Sequence, residues 1–245
     1  MNIDNSMMTI DQTDDNFQFS AIEIDRLGAS EYTLVTLVLD MSGSVGSFSK
    51  ELTESITTVI DSCKMSPHAE NLMFRLVSFN DNVREEHGFI PLSHLDNNSY
   101  KNVVNPRGMT ALYDGALNAI SATVQYGNTL YKEDFETNAI LFIITDGDDN
   151  SSFKDVTDVR NAIKNFNREE SIESLKTFLI GVNTDNSSVQ KYLENFRNEA
   201  GIDEYIDIKN ANSQSLSRMA NFISQSISAQ SKALGTGVAS QTLSF

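Results

Sequence analysis

The sequence predicts an α/β protein, a mostly parallel sheet covered by helices on both faces. Three observations carry this. Short, nearly unbroken apolar runs recur at Tyr32–Leu39, Ala139–Ile144 and Thr177–Val182; they are rich in β-branched residues, as strands buried on both faces require. Segments between them place apolar residues every three or four positions, the pattern of helices with one buried stripe. The two kinds alternate along 245 residues of 40% hydrophobic content, enough chain for a large core and suited to crossover connections.

In order, residues 1–16 are polar and acidic without periodicity and read as a mobile arm. Phe17, Phe19, Ile22, Ile24 and Leu27 are scattered apolar residues expected to pack on the domain without forming a central element, and Gly28 turns the chain. The strand at residues 32–39 is followed by a helix over Ser47–Cys63, whose stripe is Phe48, Leu52, Ile56, Val59, Ile60 and Cys63. Leu72–Phe79 is a second strand. The turn cluster Asn80-Asp81-Asn82 leads into Val83–Ile90, a hairpin partner whose Arg84-Glu85-Glu86 suits a sheet edge. Residues 91–109, with Pro91, Pro106 and Gly108, form a long loop of the kind that carries function.

Thr110 opens the next helix, with Leu112, Ala116, Leu117, Ile120 and Val124 inward. The strand at 139–144 then ends in Thr145-Asp146-Gly147. A helix on Val156, Val159, Ile163 and Phe166, the strand at 177–182, a helix on Val189, Tyr192, Leu193 and Phe196, and a short strand at 205–208 follow. Leu216, Met219, Ile223 and Ile227 mark a last helix, after which glycines release the chain. The expected organisation is an N-terminal arm at 1–29, one domain at 30–232 and a tail at 233–245.

The net charge of −16 argues against binding a nucleic-acid backbone and is compatible with divalent cations or basic partner patches. The single cysteine, Cys63, excludes an internal disulfide and a cysteine-based zinc site, and its place on a helical stripe makes it a core residue. No apolar run reaches the ~20 residues that span a bilayer, so no membrane partner is expected. The first residues lack the basic start and apolar core of a signal peptide, from which a cytoplasmic location is expected.

Ligands of an open α/β sheet bind beyond the carboxyl ends of its strands, where the strand order reverses. Three segments deliver oxygens to that edge: Asp40-x-Ser42-x-Ser44, Thr110 and Asp146. Two carboxylates and three hydroxyls, without nitrogen or sulfur, make a hard donor set suited to Mg²⁺, with Mn²⁺ or Ca²⁺ as alternatives, and unsuited to zinc. Two aspartates neutralise a divalent ion, which leaves it able to attract an anionic ligand. Singly, Ser42 and Ser44 also read as helix caps and Asp146 as a turn residue.

Asp40-Met41-Ser42-Gly43-Ser44 resembles the D-x-S-x-S motif of the von Willebrand factor A family. Gly108-Met109-Thr110-Ala111-Leu112 resembles its threonine segment, and Thr145-Asp146-Gly147 its T-D-G segment. The resemblance covers roughly residues 30–232. It implies a Rossmann-like three-layer αβα sandwich with a six-stranded sheet of order 3-2-1-4-5-6, strand three antiparallel. It also implies a metal-ion-dependent adhesion site. There Asp40, Ser42 and Ser44 would hold the metal directly or through water, Thr110 and Asp146 would complete the shell, and a partner's Glu or Asp carboxylate would take the last position. Leu27-Gly28-Ala29, Glu31–Thr36 and Thr110–Asp114 are similar to phrases of stand-alone bacterial and phage members.

Other chemistries fit less well. A phosphotransferase built on Asp40, resembling the haloacid-dehalogenase family, needs a second acid at position 42, where Ser42 has no proton to give near neutral pH. Ser42-Gly43-Ser44 is half of a nucleophile elbow, and His68, His87 and His94 are not placed for a triad. Asp148, Asp149 and Asn150 read as solvated loop; Asp114, one turn beyond Thr110, reads equally as a support for the site or as a structural residue. The expected function is therefore a Mg²⁺-dependent protein-interaction domain and not an enzyme. The alternative is an assembly component whose metal site stabilises oligomer contacts. The oligomeric state is left open.

Overall fold

Two strands precede the first one expected. In the computed structural model, which describes residues 8–13, 15–96, 100, 103–167, 170–236, 243 and 245, Met8–Gln12 (β1) and Gln18–Ile22 (β2) form an antiparallel hairpin. Then come Glu31–Asp40 (β3), Ser49–Lys64 (α1), Leu72–Phe79 (β4), Val83–Pro91 (β5) and Leu112–Lys132 (α2). Glu136–Thr145 (β6), Val156–Phe166 (α3), Leu175–Val182 (β7), Ser187–Ala200 (α4), Glu204–Ile208 (β8) and Ser213–Ala233 (α5) complete the described elements.

The sheet has eight strands, in the order β1-β2-β5-β4-β3-β6-β7-β8. The expected six-strand order is thus not that of the whole sheet. The six strands from β3 to β8 lie side by side as 5-4-3-6-7-8, with β5 antiparallel to β4, and the N-terminal hairpin extends them beyond β5. Consequently β5 is not an edge. Gly88 shows why: a β-carbon there would stand 1.9 Å from the Ser20 carbonyl oxygen, so only glycine admits β2 at this distance. Sequence periodicity missed the hairpin because β1 is short and exposed on most positions, and Met8 and Ile10 are too few to mark a buried face.

Each central strand is buried on both faces, and its alternation sorts side chains between two helical layers. Val35, Leu37 and Leu39 pack with the stripes of α1 and α5. Leu34 and Val38 face the other layer, where α2, α3 and α4 contribute Leu112, Ile120, Val159 and Leu193. Each such side chain stabilises the fold by about 1.5–3 kcal/mol on burial. On this second face Thr36 meets Thr123 of α2 through hydroxyls 3.0 Å apart, which satisfies two polar groups no water reaches. Cys63 is buried in the first layer, where burial pushes its thiol up to about 12.

Helix starts differ from expectation by two residues at two places. Residues Gly43–Ser47 wind as a 3-10 helix before α1 begins at Ser49. Likewise α2 begins at Leu112, not Thr110. Most of the expected tail, 237–242 and 244, lies outside the described residues, as do 1–7 of the arm. Phe245 is described and packs edge-on against Phe222 of α5, 5.8 Å between ring centres. Among the described residues no helix is long and apolar enough to cross a membrane.

Candidate functional site

The register of the central strands builds the site. β3 lies between β4 and β6, the chain leaving toward opposite sides of the sheet, so the crevice where strand order reverses opens at its carboxyl end. Leu39 pairs with Ile144, which puts the next residues, Asp40 and Thr145, side by side. The Thr145 hydroxyl donates to Asp40 Oδ2 at 2.6 Å, and the Ser42 amide donates to Asp40 Oδ1 at 2.7 Å. Both oxygens of a 1% exposed carboxylate are thereby held.

From there a chain of oxygens runs outward. The Ser42 and Ser44 hydroxyls are 3.0 Å apart, and Ser44 donates to Asp146 Oδ1 at 2.7 Å. Ser42 is buried, Asp146 half-buried and Ser44 exposed, so the cluster is closed at Asp40 and open at the surface. Gly43 and Arg107 fasten the facing loop: the Gly43 amide donates to the Gly108 carbonyl at 3.1 Å, and the Arg107 amide to the Met41 carbonyl at 2.8 Å. Gly108 has φ +76, and a β-carbon on it would fall 1.9 Å from Asp81 Oδ2, so this turn needs glycine on both counts.

Thr110 reaches the same place by its backbone. Its amide donates to Asn150 Oδ1 at 2.8 Å, and its carbonyl accepts from the Asn150 amide at 3.0 Å. Its hydroxyl oxygen lies 3.9 Å from where a β-carbon on Gly147 would stand, beside Asp146. The structure therefore brings Asp40, Ser42, Ser44 and Asp146 into one hydrogen-bonded chain and sets Thr110 alongside it.

Asn150 and Asp149, read as solvated, and Asp114, read as ambiguous, are builders of this rim. Helix α2 has Ala111 at its cap, a residue with no side-chain oxygen to offer its first amides. Asp149 accepts from the Tyr113 amide at 3.2 Å, and the Ser152 hydroxyl accepts from the Asp114 amide at 3.1 Å. Buried Asp114 returns the contact by accepting from the Phe153 and Lys154 amides, each at 3.0 Å. Alanine before the apolar stripe was the signal that the cap must come from elsewhere. Thr145, quoted only as part of a motif, is the other residue sequence reading passed over. His87 is buried, with Nδ1 2.8 Å from the Gly88 carbonyl and Nε2 2.7 Å from the Tyr100 hydroxyl, so it belongs to the core under β5 and not to the site.

Electrostatics favour a cation here. Burial raises the Asp40 carboxyl above its ordinary range, against the lowering effect of the Thr145 and Ser42 hydrogen bonds. Burial likewise lifts Asp146 to about 6; the Ser44 hydroxyl opposes this and the charge on Asp40 adds to it. Two carboxylates that resist ionising together are relieved by a positive ion between them. Among the described residues no three His, Cys, Asp or Glu side chains are grouped to hold a metal; this cluster offers two carboxylates and completes its donor set with hydroxyls. That set is all oxygen and fits a hard divalent ion.

The sequence model of the von Willebrand factor type A domain matches residues 35–228, and the chain belongs to that family. No curated protein matches the sequence. The fold is shared with the PilB minor pilin from Streptococcus sanguinis (TM-score 0.59, 15% identity, 87% of this chain and 65% of that one). It is shared with the pilus adhesin SpaC from Lactobacillus rhamnosus GG in its open conformation (0.56, 10%, 87% and 32%). A third similar structure, proximal thread matrix protein 1 from the mussel byssus, has a zinc-occupied MIDAS motif (0.52, 15%, 84% and 47%). The chain spans less than two thirds of each of these proteins.

The expected cytoplasmic location is corrected by these likenesses: the three solved structures named above are proteins of pili and of the byssus. The expectation rested on the first residues alone, and a leader's absence there says nothing about where the domain works.

Proposed function

From membership of the von Willebrand factor A family, we propose that this chain is a metal-dependent protein-interaction module and not an enzyme. Asp40, Ser42, Ser44, Thr110 and Asp146 hold Mg²⁺, and a Glu or Asp side chain of a protein partner binds there. The observation that carries this is the hydrogen-bonded run from buried Asp40 through the Ser42 amide and the Ser42 and Ser44 hydroxyls to half-exposed Asp146, at the switch point of the sheet. The bound ion would supply an electrophilic position for the partner's carboxylate. The chain's own residues do the rest. Asp40 and Asp146 supply two negative charges, enough to balance a divalent ion without repelling an acidic guest. Thr145 and the Ser42 amide fix the orientation of Asp40, and the Asn150 clamp sets the position of Thr110.

The all-oxygen set favours Mg²⁺, Mn²⁺ or Ca²⁺ over zinc, and the byssal protein's zinc-occupied motif makes zinc a necessary comparison. Calorimetric titration with Mg²⁺, Mn²⁺, Ca²⁺ and Zn²⁺ tests the site on wild type, Ser44→Ala and Asp146→Ala. Binding by wild type and its loss in both variants is expected; equal heats from all three proteins would remove the metal. A pilin and a matrix protein among the similar structures favour a second reading, an assembly component. Sedimentation with and without Mg²⁺ separates it, because assembly through this site makes self-association depend on metal.

A further inference from the structure

The rim of the site carries more information than its oxygens. Among the described residues Phe153 is the most exposed large apolar side chain, 91% open to solvent, and Met109 is 51% open. Both stand on the loops that build the site. Met109 directly precedes Thr110, and Phe153 ends the segment that starts at Asp146. Isolated exposed apolar residues are ordinary. These two differ in being held. The Phe153 and Lys154 amides are both fixed by the buried Asp114 carboxylate, and the Met109 amide donates to Asp81 Oδ1 at 3.3 Å. A phenyl ring on so constrained a backbone buries nothing in the fold, yet it is presented with little left to lose in ordering. That combination characterises an anchor of recognition.

Charge on the same loops is sorted. Asp81, Asp114 and Asp149 point their carboxylates at backbone amides, and Asp148 Oδ1 is closed off from solvent. Arg107 and Lys154, each next to or near one of the apolar residues, form no ion pair among the described residues. On a protein of net charge −16, Arg107 and Lys154 thus set one cation on each side of this site, and the exposed Asp155 next to Lys154 is turned onto the Thr157 and Asp158 amides.

We infer that the site's ligand is an exposed peptide segment of another protein, in which the metal-seeking carboxylate is flanked by large apolar side chains seated on Met109 and Phe153 and by further acidic residues that meet Arg107 and Lys154. This rests on the metal-dependent reading above and adds to it the chemistry of the partner. Apolar contacts and rim charges separate this peptide from other carboxylates, since a metal alone accepts any of them. The rim charges act mostly on the rate of encounter and are sensitive to salt.

The test is selection from a random peptide library displayed on phage, with Mg²⁺ against chelator, on wild type, Phe153→Ser, Met109→Ser and Thr110→Ala. Selected sequences are then synthesised and their affinities measured at low and high salt. The expected result is metal-dependent enrichment of an acidic residue with apolar neighbours. Phe153→Ser should lower affinity for the selected peptide about tenfold without changing Mg²⁺ binding or thermal stability. Arg107→Ser with Lys154→Ser should remove the preference for outer acids and the salt dependence. Metal-dependent selection of acids with no apolar preference, unchanged in Phe153→Ser, overturns this inference and leaves the metal reading standing. Absence of any metal-dependent selection, with no Mg²⁺ heat, overturns both. Mg²⁺-driven dimers lost in Phe153→Ser, without peptide selection, would make a second copy of the chain the occupant and overturn the peptide.

Discussion

Thr145 gives the sharpest handle on the site, because its hydroxyl donates to Asp40 at 2.6 Å, accepts from the Gly147 amide at 3.3 Å, and is not among the expected metal ligands, yet should govern metal binding. Thr145→Val keeps a β-branched residue of nearly the same volume in β6, so strand propensity and packing are conserved. What is lost is chiefly the donor on Asp40 Oδ2, a 2.6 Å hydrogen bond to a 1% exposed carboxylate, together with the longer 3.3 Å contact from the Gly147 amide. Hydrogen bonds to charged groups contribute about 1.5–3 kcal/mol. For a domain of this size, melting temperature moves about 2–4 °C per kcal/mol, so a fall of about 3–12 °C in chelator is expected. The same loss pushes the Asp40 carboxyl further up, toward the protonated form that cannot bind metal. Partners that orient a metal's ligand are worth about 10–100-fold in affinity, and Mg²⁺ titration of the variant should show a loss in that range. Differential scanning calorimetry with chelator and isothermal titration with Mg²⁺ read the two effects separately. Unchanged melting together with unchanged Mg²⁺ affinity would refute the argument that Thr145 fixes Asp40.

Asp146, lifted to about 6, gives stability that is full below its unfolded value near 3.8 and lost as pH rises through about 6. Melting in chelator should therefore fall between pH 4 and 7, the fall should be smaller in Asp146→Asn, where only the share of the likewise raised Asp40 remains, and Mg²⁺ affinity should drop as pH goes below about 6. His87 has the opposite slope. Burial lowers it to about 4 from 6.5, so its stability is full above pH 6.5 and is lost, by about 3 kcal/mol, as pH falls through 4. Acid melting of His87→Gln against wild type measures that difference. Gly88→Ala should cost about 1–3 kcal/mol by driving a methyl into the Ser20 carbonyl, with hydrogen exchange quickening at residues 18–22 before the rest of the sheet. Asp114→Ala leaves the Phe153 and Lys154 amides without their acceptor, and exchange there should quicken with a loss of about 1–3 kcal/mol.

What could be read in the sequence followed from periodicity and from chemistry confined to one segment. The runs at β3, β6 and β7 are apolar because both faces are buried, and Asp40 stands out because a charge ends such a run. The N-terminal hairpin left no such trace. β2 is fixed on β5 by a glycine-sized gap at Gly88 and by polar contacts: the Ser20 amide and hydroxyl donate to Glu85 Oε1 at 2.9 and 2.6 Å. Glu85 Oε2 in turn accepts from the fully buried Arg75 at 2.7 Å. Those contacts join residues 65 or more positions apart on one side and ten on the other, and no single-segment pattern encodes them. Arg84-Glu85-Glu86 looked like an edge for the same reason. A charge in a strand normally faces water, and only a buried arginine on the neighbouring strand makes Glu85 an inward residue. The site divides along the same line. Its oxygens lie on strand ends and could be found by position, whereas the residues that aim them act across the crevice. Asp149 read as solvated because carboxylates usually are; here it answers a Tyr113 amide that Ala111 leaves uncapped, while Asp114 holds the Phe153 and Lys154 amides of the same loop. A helix start without a capping side chain is thus a local sign of a distant partner. In this chain that partner is the loop that carries Asp146, which ties the geometry of the oxygens to the placement of the rim.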